Sequence, residues 1–363
     1  MSGPRFAIDA DVTRARTIAK DFYLDDGVWA LARERIFARA WHWLGPPDEV
    51  AAPGSLAPAT LLPGLLDEPL LLSRDEAGTL RALSNVCTHR GMPLVAAPCR
   101  AGEIRCPYHS RRFGLDGRLR FMPGFDGACD FPSTADHLPQ AALASHGGHA
   151  FVSLDPALPF DDWSREWRER LPGLDLASFT ADPSRAREFT FDAHWALYVE
   201  NYLEGLHIPF LHPALNSTLA MDGYDYELGR ASVLQLARAR DGEPAFELPA
   251  GAREHGQRIA AYYWWLFPNL MLNFYPWGLS VNVVQPLGPA RTRVIFRSFV
   301  ADASRLGQGA GGALDTVELE DEAAVVAVQR GIRSRLYRDG RYSPRHEAGV
   351  HHFHRLLAAA LAG

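Results

Sequence analysis

Apolar and polar residues follow two different rhythms along this chain, and the change of rhythm divides it. Over residues 20–44, "KDFYLDDGVWALARERIFARAWHWL", the spacing is helical and amphipathic, and Asp25 and Asp26 suit a helix N-terminus. Pro/Gly punctuation follows in "GPPDEVAAPGS". Short apolar runs such as "PLLLS" and "RALSNV" then read as strands of a small antiparallel domain that reaches to about residue 155. The stretch "DPALPFDD" reads as a linker. From residue 160 onward the pattern predicts a helix over 192–207 and then strands, clearest in "YYWWLF", "LMLNFY", "LSVNVVQPL" and "TRVIFRSFV". A long helix is expected over roughly 315–336 and a last one over 345–361. Strands followed by long helices imply an α+β architecture. The expected division is a helical lead-in over 1–44 that packs on the last domain, a β domain over 45–155, and a larger domain over 160–363. No repeat of 20–50 residues is visible.

Composition narrows the class. With 47% apolar and 22% charged residues among 363, the chain reads as globular and long enough for two domains. Net charge is −6 with both signs scattered, so no basic patch invites nucleic acid. No run of 18 uncharged apolar residues predicts a membrane span. The start, "MSGPRFAIDADVTRARTIAK", lacks an apolar core before a small-residue cleavage site, so a cytoplasmic location is expected. Cys87, Cys99, Cys106 and Cys129 fall within 43 residues, which in such a setting favours metal binding over a disulfide framework.

The strongest motif is "NVCTHRGMPLVAAPCRAGEIRCPYHS". It contains Cys87-Thr88-His89, sixteen intervening residues, then Cys106-Pro107-Tyr108-His109. Two chemistries accept two thiolates and two imidazoles. One is a structural zinc site. The other is a Rieske [2Fe–2S] cluster, with Cys87 and Cys106 on one iron and His89 and His109 on the other. Zinc sites more often pair Cys with Cys and His with His. Here each loop offers one of each, which suits a cluster with one all-sulfur and one all-nitrogen iron. Cys99 and Cys129 lie outside the motif and read as free thiols.

A second constellation lies in "ENYLEGLHIPFLHP", residues 200–213. On a helical wheel Trp195, Tyr198, Val199, Tyr202 and Leu206 form an apolar stripe, with Glu200, Glu204 and His207 opposite. That alone describes a solvated face. His207 and His212, however, are five apart, the wrong spacing for one helix face, and Pro209 ends or kinks the helix. A break there turns His212 back toward His207. Two imidazoles need one carboxylate to complete the open-sided facial triad of non-haem Fe(II) oxygenases. In "DTVELEDEAAVVAVQRGIRSRL" the wheel places Asp321 at the centre of a stripe of Val317, Val325, Val328 and Ile332, with Glu320 and Glu322 to either side. A carboxylate in an apolar stripe is costly unless paired or metal-bound. Asp321 is thus the candidate third ligand, and Glu318 the runner-up.

These motifs resemble the catalytic α subunits of Rieske non-haem iron oxygenases. "CPYHSRRFGLDGRL" is similar to that family's second cluster loop, with Ser110 where a glycine is usual. Met92 and Tyr108 stand where high-potential Rieske proteins carry extra disulfide-bonded cysteines, as in the low-potential oxygenase type. "ENYLEGLHIPFLHP" resembles the family pattern Glu/Asp-x-x-His-x4-His. The resemblance runs from "YLDDGVWALARERIFARAWHWLG" to "GRYSPRHEAGVHHFHRLL". It implies that His207, His212 and Asp321 bind mononuclear Fe(II), and that Glu204 links the two metal centres of neighbouring subunits. That linking position is more often Asp, with Glu in some members acting on quaternary ammonium compounds.

The resemblance further implies a Rieske β domain followed by a helix-grip catalytic domain, and a homotrimer. The catalysed reaction would use O2 and electrons drawn indirectly from NAD(P)H through a separate flavin reductase, with or without a ferredoxin. "QRGIRSRLYRDGRYSPRHEAGVHHFH" resembles choline-monooxygenase-like members. It points to monooxygenation, by hydroxylation or oxidative demethylation, of a small organic or quaternary ammonium substrate. Ring cis-dihydroxylation is the alternative within the class. A Rieske electron carrier or redox sensor is the alternative outside it, and such a carrier has no need of His207, His212 and Asp321.

Three other features read as ordinary structure. "GQGAGG", 307–312, matches a dinucleotide-binding pattern without the βαβ context and is expected to be a flexible connection. The histidines of "HEAGVHHFH" read as surface or packed residues of a helix. The aromatic run "YYWWLFPNLMLNFYPWG" reads as core, although alternate strand positions suit a pocket for a flat ring or an alkylammonium, with Asn273 and Asn282 as polar contacts.

Overall fold

The computed structural model describes residues 6–171, 174–312 and 314–362. Tertiary contacts divide the chain into two compact units. The smaller runs from Ala38 to Ala157. The larger combines the residues up to Phe37 with those from Leu158 onward.

The smaller unit is built from ten strands. They are β1 (His42–Gly45), β2 (Ser55–Leu61), β3 (Glu68–Arg74), β4 (Leu80–Ser84), β5 (Cys99–Arg100), β6 (Ile104–Arg105), β7 (Arg112–Phe113), β8 (Leu119–Phe121), β9 (Gln140–His146) and β10 (His149–Ser153). Seven form an antiparallel sheet in the order β1-β10-β9-β4-β3-β2-β5, and β6-β7-β8 form a second, three-stranded sheet. Leu71 of β3 sits opposite Leu83 of β4, and both join Leu56, Phe113 and Leu138 in one apolar core. Burying each such side chain contributes about 1.5–3 kcal/mol. Cys87 and Cys106 belong to that same core, so the two Cys/His loops are anchored at their cysteine ends.

The helical pattern read over 20–44 breaks up. Helices α1 (Asp21–Leu24) and α2 (Asp26–Ala32) are separated by Asp25, whose extended backbone and side chain cap α2 by accepting from the Val28 N–H at 2.9 Å. One π-helical turn, Arg33–Phe37, follows. The last residues of the stretch are not helical: His42 to Gly45 pair with β10 as β1.

The larger unit adds α3 (Phe160–Arg170), β11 (Thr180–Ala181), β12 (Arg187–Phe191), α4 (Trp195–Tyr202), α5 (Ile208–Leu211) and α6 (Pro213–Thr218). It continues with β13 (Asp225–Leu228), β14 (Ser232–Arg238), β15 (Ile259–Leu266), β16 (Leu270–Tyr275), β17 (Gly278–Gly288), β18 (Arg291–Val300), α7 (Leu314–Ile332) and α8 (Ala348–Ala362). Strands β13 to β18 form an antiparallel sheet in sequential order, with β11 and β12 both pairing with β18. Register places Tyr263, Asn273, Ser280 and Ser298 on one rung and Trp265, Met271, Asn282 and Phe296 on another, two residues along. Side chains on alternate positions share a face, so both rungs face the same way. Helix α4 packs on α7 and on β17.

The glycine-rich segment 307–312 is packed rather than loose. Ala310 and Gly311 are buried, and a Cβ on Gly311 would meet Trp277 Nε1 at 2.3 Å and the Tyr275 ring at 2.9 Å. The missing side chain there permits close backbone approach to an aromatic wall. The histidines of α8 are packed too: His351 Nε2 donates to Asp9 O at 2.7 Å, and His354 Nδ1 accepts from the Tyr342 hydroxyl at 2.6 Å.

His194 ties α4 to pH. Its Nδ1 caps the helix by accepting from the Ala196 N–H at 3.2 Å, and its ring lies among Phe22, Tyr23 and Trp195. Burial pulls its pKa down to about 3. The unfolded imidazole takes up its proton near pH ~6.5. Stability from this group is therefore complete above that pH and is lost as pH falls toward the folded value. Between pH 7.5 and pH 5 the loss should reach about 2 kcal/mol. Denaturant titrations of His194→Asn, which keeps an acceptor for Ala196, should show a shallower pH slope; an unchanged slope would refute the assignment.

Candidate active site and metal centres

Helix α4 ends at Tyr202, so Glu204 and His207 sit in the turn that follows and not on a helix face. Pro209 does not end α4. It occupies the first turn of α5, where its missing N–H costs nothing. His207 precedes α5 and His212 joins α5 to α6, so one helical turn carries the second imidazole back beside the first. The two rings lie 5.0 Å apart at 82°.

Asp321 of α7 meets them. Its Oδ1 lies 2.9 Å from His212 Nε2 and 3.6 Å from His207 Nε2. One donor atom from each of the three residues lies within 4.8 Å of the others, the one such group of three or more among the described residues. The remaining ring nitrogens are held from outside: His207 Nδ1 by Glu204 Oε1 at 2.6 Å, and His212 Nδ1 by Glu320 Oε2 at 2.6 Å. Outer carboxylates of this kind fix the tautomer and aim Nε2 inward. Glu204 also accepts from the backbone N–H groups of Leu206 and His207, which shapes the turn. Two nitrogens and one carboxylate with both imidazoles pre-aimed are a donor set that fits ferrous iron.

Glu320 was not singled out by the wheel as a partner of His212; the only signal in the sequence was its adjacency to Asp321. The buried face of α7 also differs from the expected stripe. Glu318, Val325, Gln329 and Ile332 are buried, whereas Val328 is 51% exposed. Polar residues enter that face because α4 and its lead-in supply partners. The Tyr198 hydroxyl donates to Glu318 Oε2 at 2.5 Å, and the His194 N–H donates to Gln329 Oε1 at 2.7 Å. Glu318 lies outside the three-residue cluster, and burial pushes its pKa up to about 8.

The triad opens on a cavity of about 110 Å³, whose wall includes Tyr202, Tyr263, Asn273, Tyr275 and Asn282. The Tyr202 hydroxyl donates to Asn273 Oδ1 at 2.5 Å, and Ser280 donates to Asn282 Oδ1 at 2.7 Å. Burial pushes the phenols of Tyr202, Tyr263 and Tyr275 up, so they remain neutral O–H groups.

In the smaller unit Cys87 and Cys106 are buried and free, and the His89 and His109 rings lie 4.9 Å apart. Tyr108 stacks on His109 at 3.6 Å, and Phe125 meets the edge of His89 at 5.3 Å. Hydrogen bonds from Cys87 N to Met92 O and from Cys106 N to Arg111 O close the two loops. Ser110 adopts φ +61°, the left-handed conformation that explains the family's usual glycine. Nδ1 of His89 is buried and has no hydrogen-bond partner, a cost that a metal bond removes. Burial pushes the Cys87 thiol up and neighbouring Cys106 adds to it, so a thiolate at Cys87 requires a cation. Two buried thiols and two facing imidazoles, one of each from either loop, are the donor set of a two-iron cluster with one all-sulfur and one all-nitrogen iron. Cys99 and Cys129 are exposed free thiols.

Fold and donor sets together define a Rieske non-haem iron oxygenase. A family model described as the ring hydroxylating alpha subunit, catalytic domain, matches residues 160–363, and one for the Rieske [2Fe-2S] domain matches residues 40–133. The chain belongs to this ring-hydroxylating α-subunit family. The family uses a [2Fe–2S] cluster and a mononuclear iron, with electrons delivered by a separate reductase. Chloroplastic choline monooxygenase of Spinacia oleracea is 28% identical over 96% of this chain and 79% of its own. The carnitine monooxygenase oxygenase subunit of Escherichia coli (strain K12) is 28% identical over 96% and 95%. Among solved structures, a quaternary ammonium Rieske monooxygenase in complex with L-carnitine superposes with a TM-score of 0.73 at 23% identity, covering 97% of each chain. Naphthalene 1,2-dioxygenase from Rhodococcus sp. superposes with a TM-score of 0.68 at 20% identity, covering 95% of this chain and 94% of its own. No helix among the described residues is long and apolar enough to cross a membrane.

Proposed function

We propose that this chain is the terminal oxygenase component that monooxygenates a small quaternary ammonium compound, by hydroxylation or oxidative demethylation. Cys87, Cys106, His89 and His109 hold the cluster, and His207, His212 and Asp321 hold the mononuclear iron. When bound, these centres supply one-electron storage and O2 activation. The chain's own residues do the rest. Glu204 and Glu320 hold the two imidazoles in one tautomer. Tyr202 and Asn273 form a fixed hydrogen-bonded pair in the cavity wall, and the neutral tyrosines offer ring faces to a methylated ammonium head.

One observation carries the substrate class. The cavity beside the triad is lined by tyrosines and carboxylates, and neither Lys nor Arg is among its lining residues. The choline and carnitine monooxygenases similar to this chain support the same class. The reading extends to a cytoplasmic homotrimer served by a flavin reductase, with or without a ferredoxin, in which Glu204 links one subunit's cluster to its neighbour's iron. Inter-subunit electron transfer described for a quaternary ammonium Rieske monooxygenase of the same fold supports that arrangement. Two domains complete it, a cluster domain over 38–157 and a catalytic domain from 158 onward; the lead-in expected over 1–44 stops at Phe37, because His42–Gly45 pair with β10.

Single-turnover reaction of the pre-reduced enzyme with O2 tests the reading. Quaternary ammonium compounds, methoxy-aromatics and simple aromatics are compared by product mass. The expected product is an ammonium compound that has gained one oxygen atom, or has lost a methyl group as formaldehyde. Conversion of simple aromatics alone, to products carrying two added oxygens, would replace it with ring dihydroxylation.

A further inference from the structure

A second cavity, of about 300 Å³, adjoins the first, and the two share Phe296, Leu314 and Glu318 in their linings. The first contains the triad. The second carries Arg185 and Arg187. Glu318 therefore stands where the iron-side cavity meets a neighbour in which Arg187 is already paired with Asp315, its Nε 3.4 Å from Asp315 Oδ2. It is one helical turn before Asp321 on α7 and only 4% exposed. The Tyr198 hydroxyl holds its Oε2 at 2.5 Å, while its Oε1 is buried and accepts no hydrogen bond from the described residues.

A half-satisfied buried carboxyl is costly, and natural proteins keep such groups where a ligand completes them. Neither Glu204 nor Asp321 is free for that task. Glu204 is committed to His207 and the turn before it, and Asp321 to both imidazoles. Glu318 is the remaining carboxyl in the cavity lining. Its place one turn from Asp321 brings a group paired with it close to the triad.

We propose that Glu318 is the specificity-determining residue of this site, pairing its carboxyl with the cationic head of the substrate. This rests on the quaternary ammonium reading and assigns the charge selection to one side chain. The tyrosine faces supply cation–π attraction that is tolerant of head-group shape, whereas Glu318, which burial keeps protonated in the empty cavity, releases that proton to solvent as the cationic head docks and then supplies the opposite charge. A neutral molecule of the same shape fills the cavity and leaves Oε1 unpaired. The site thus discriminates by charge more sharply than by volume, as sites that leave a buried polar group unpaired with the wrong ligand do.

The test measures binding of choline and of its uncharged isostere 3,3-dimethylbutan-1-ol to the holoenzyme by calorimetry, with iron content and the cluster spectrum as controls. Wild type should bind choline more tightly than the isostere. Glu318→Gln, which keeps shape and removes charge, should weaken choline by about tenfold or more and leave the isostere nearly unchanged. Glu318→Asp, which keeps the charge on a shorter stem, should retain part of the preference, and it serves as the second variant if the glutamine form does not fold. A purely structural role would move both ligands together. If wild type prefers choline and Glu318→Gln preserves that ratio with full iron, the assignment of Glu318 is overturned while the substrate class stands. If wild type binds the isostere as tightly as choline and turns over no ammonium compound, the substrate class and the assignment fall together.

Discussion

Asp321→Ala is expected to leave the visible absorption of the cluster intact, to lose mononuclear iron, and to form no product. The proposed cluster ligands lie between Cys87 and His109 in the smaller unit, whereas Asp321 is on α7 of the larger one. The cluster spectrum should therefore not move. At the iron site the loss is severe because a single oxygen, Asp321 Oδ1, faces both imidazoles, at 2.9 and 3.6 Å. Without it the donor set falls to two nitrogens, and among the described residues no other carboxylate joins the cluster. The loss should exceed the ~10–100-fold that removal of a supporting partner alone costs. Metal analysis, the cluster spectrum and product mass on one preparation decide the matter. Wild-type turnover with Asp321 absent would remove the residue from the ligand set.

Glu204 should give a different signature. It contacts His207 Nδ1 at 2.6 Å and also accepts from the backbone N–H groups of Leu206 and His207. Glu204→Ala removes the charge and the support of the turn together, so some iron should be lost with activity. Glu204→Gln keeps the length but removes the charge and one of the two acceptor oxygens that serve His207 Nδ1 and the turn N–H groups. In that variant cluster content should stay near wild type while product formation per bound iron falls by about 10–100-fold or more. Stopped-flow observation should show the chemically reduced cluster persisting in the presence of O2 and substrate. Prompt reoxidation of the cluster at the wild-type rate would leave Glu204 as a structural support only.

How much of this was readable from the sequence varies with the kind of interaction. The strands "YYWWLF", "LMLNFY", "LSVNVVQPL" and "TRVIFRSFV" fall on β15 to β18, with only Phe267 beyond a strand end, because a sheet buried along long apolar runs writes itself in local composition. The helix read over 315–336 is present as Leu314–Ile332, and its buried face is where local pattern failed. Val328 was expected inside and lies in solvent, while Glu318 and Gln329 lie inside. Whether a polar side chain can be buried depends on a partner from another element, here the Tyr198 hydroxyl and the His194 N–H, which no periodicity displays. Glu320 was missed for the same reason: its partner, His212, is more than a hundred residues earlier in the chain. The glycine-rich 307–312 segment was read as flexible because glycine has two uses, freedom and closeness, and only the aromatic wall of Tyr275 and Trp277 shows which applies.

By itself the sequence determined which donors exist and how they are spaced. Cys-x-His and Cys-x-x-His name a cluster because thiolates and imidazoles at those intervals have few other uses, and two histidines around Pro209 name a break in the chain. Tertiary structure alone decided what those donors face. It set Nε2 of both imidazoles toward Asp321, placed Glu204 and Glu320 behind them, and left Glu318 with one oxygen satisfied and the other not. The physical reason is range. Spacing along a chain is local and survives in one dimension, whereas the direction of a hydrogen bond and the burial of a charge depend on atoms brought together from opposite ends of the fold.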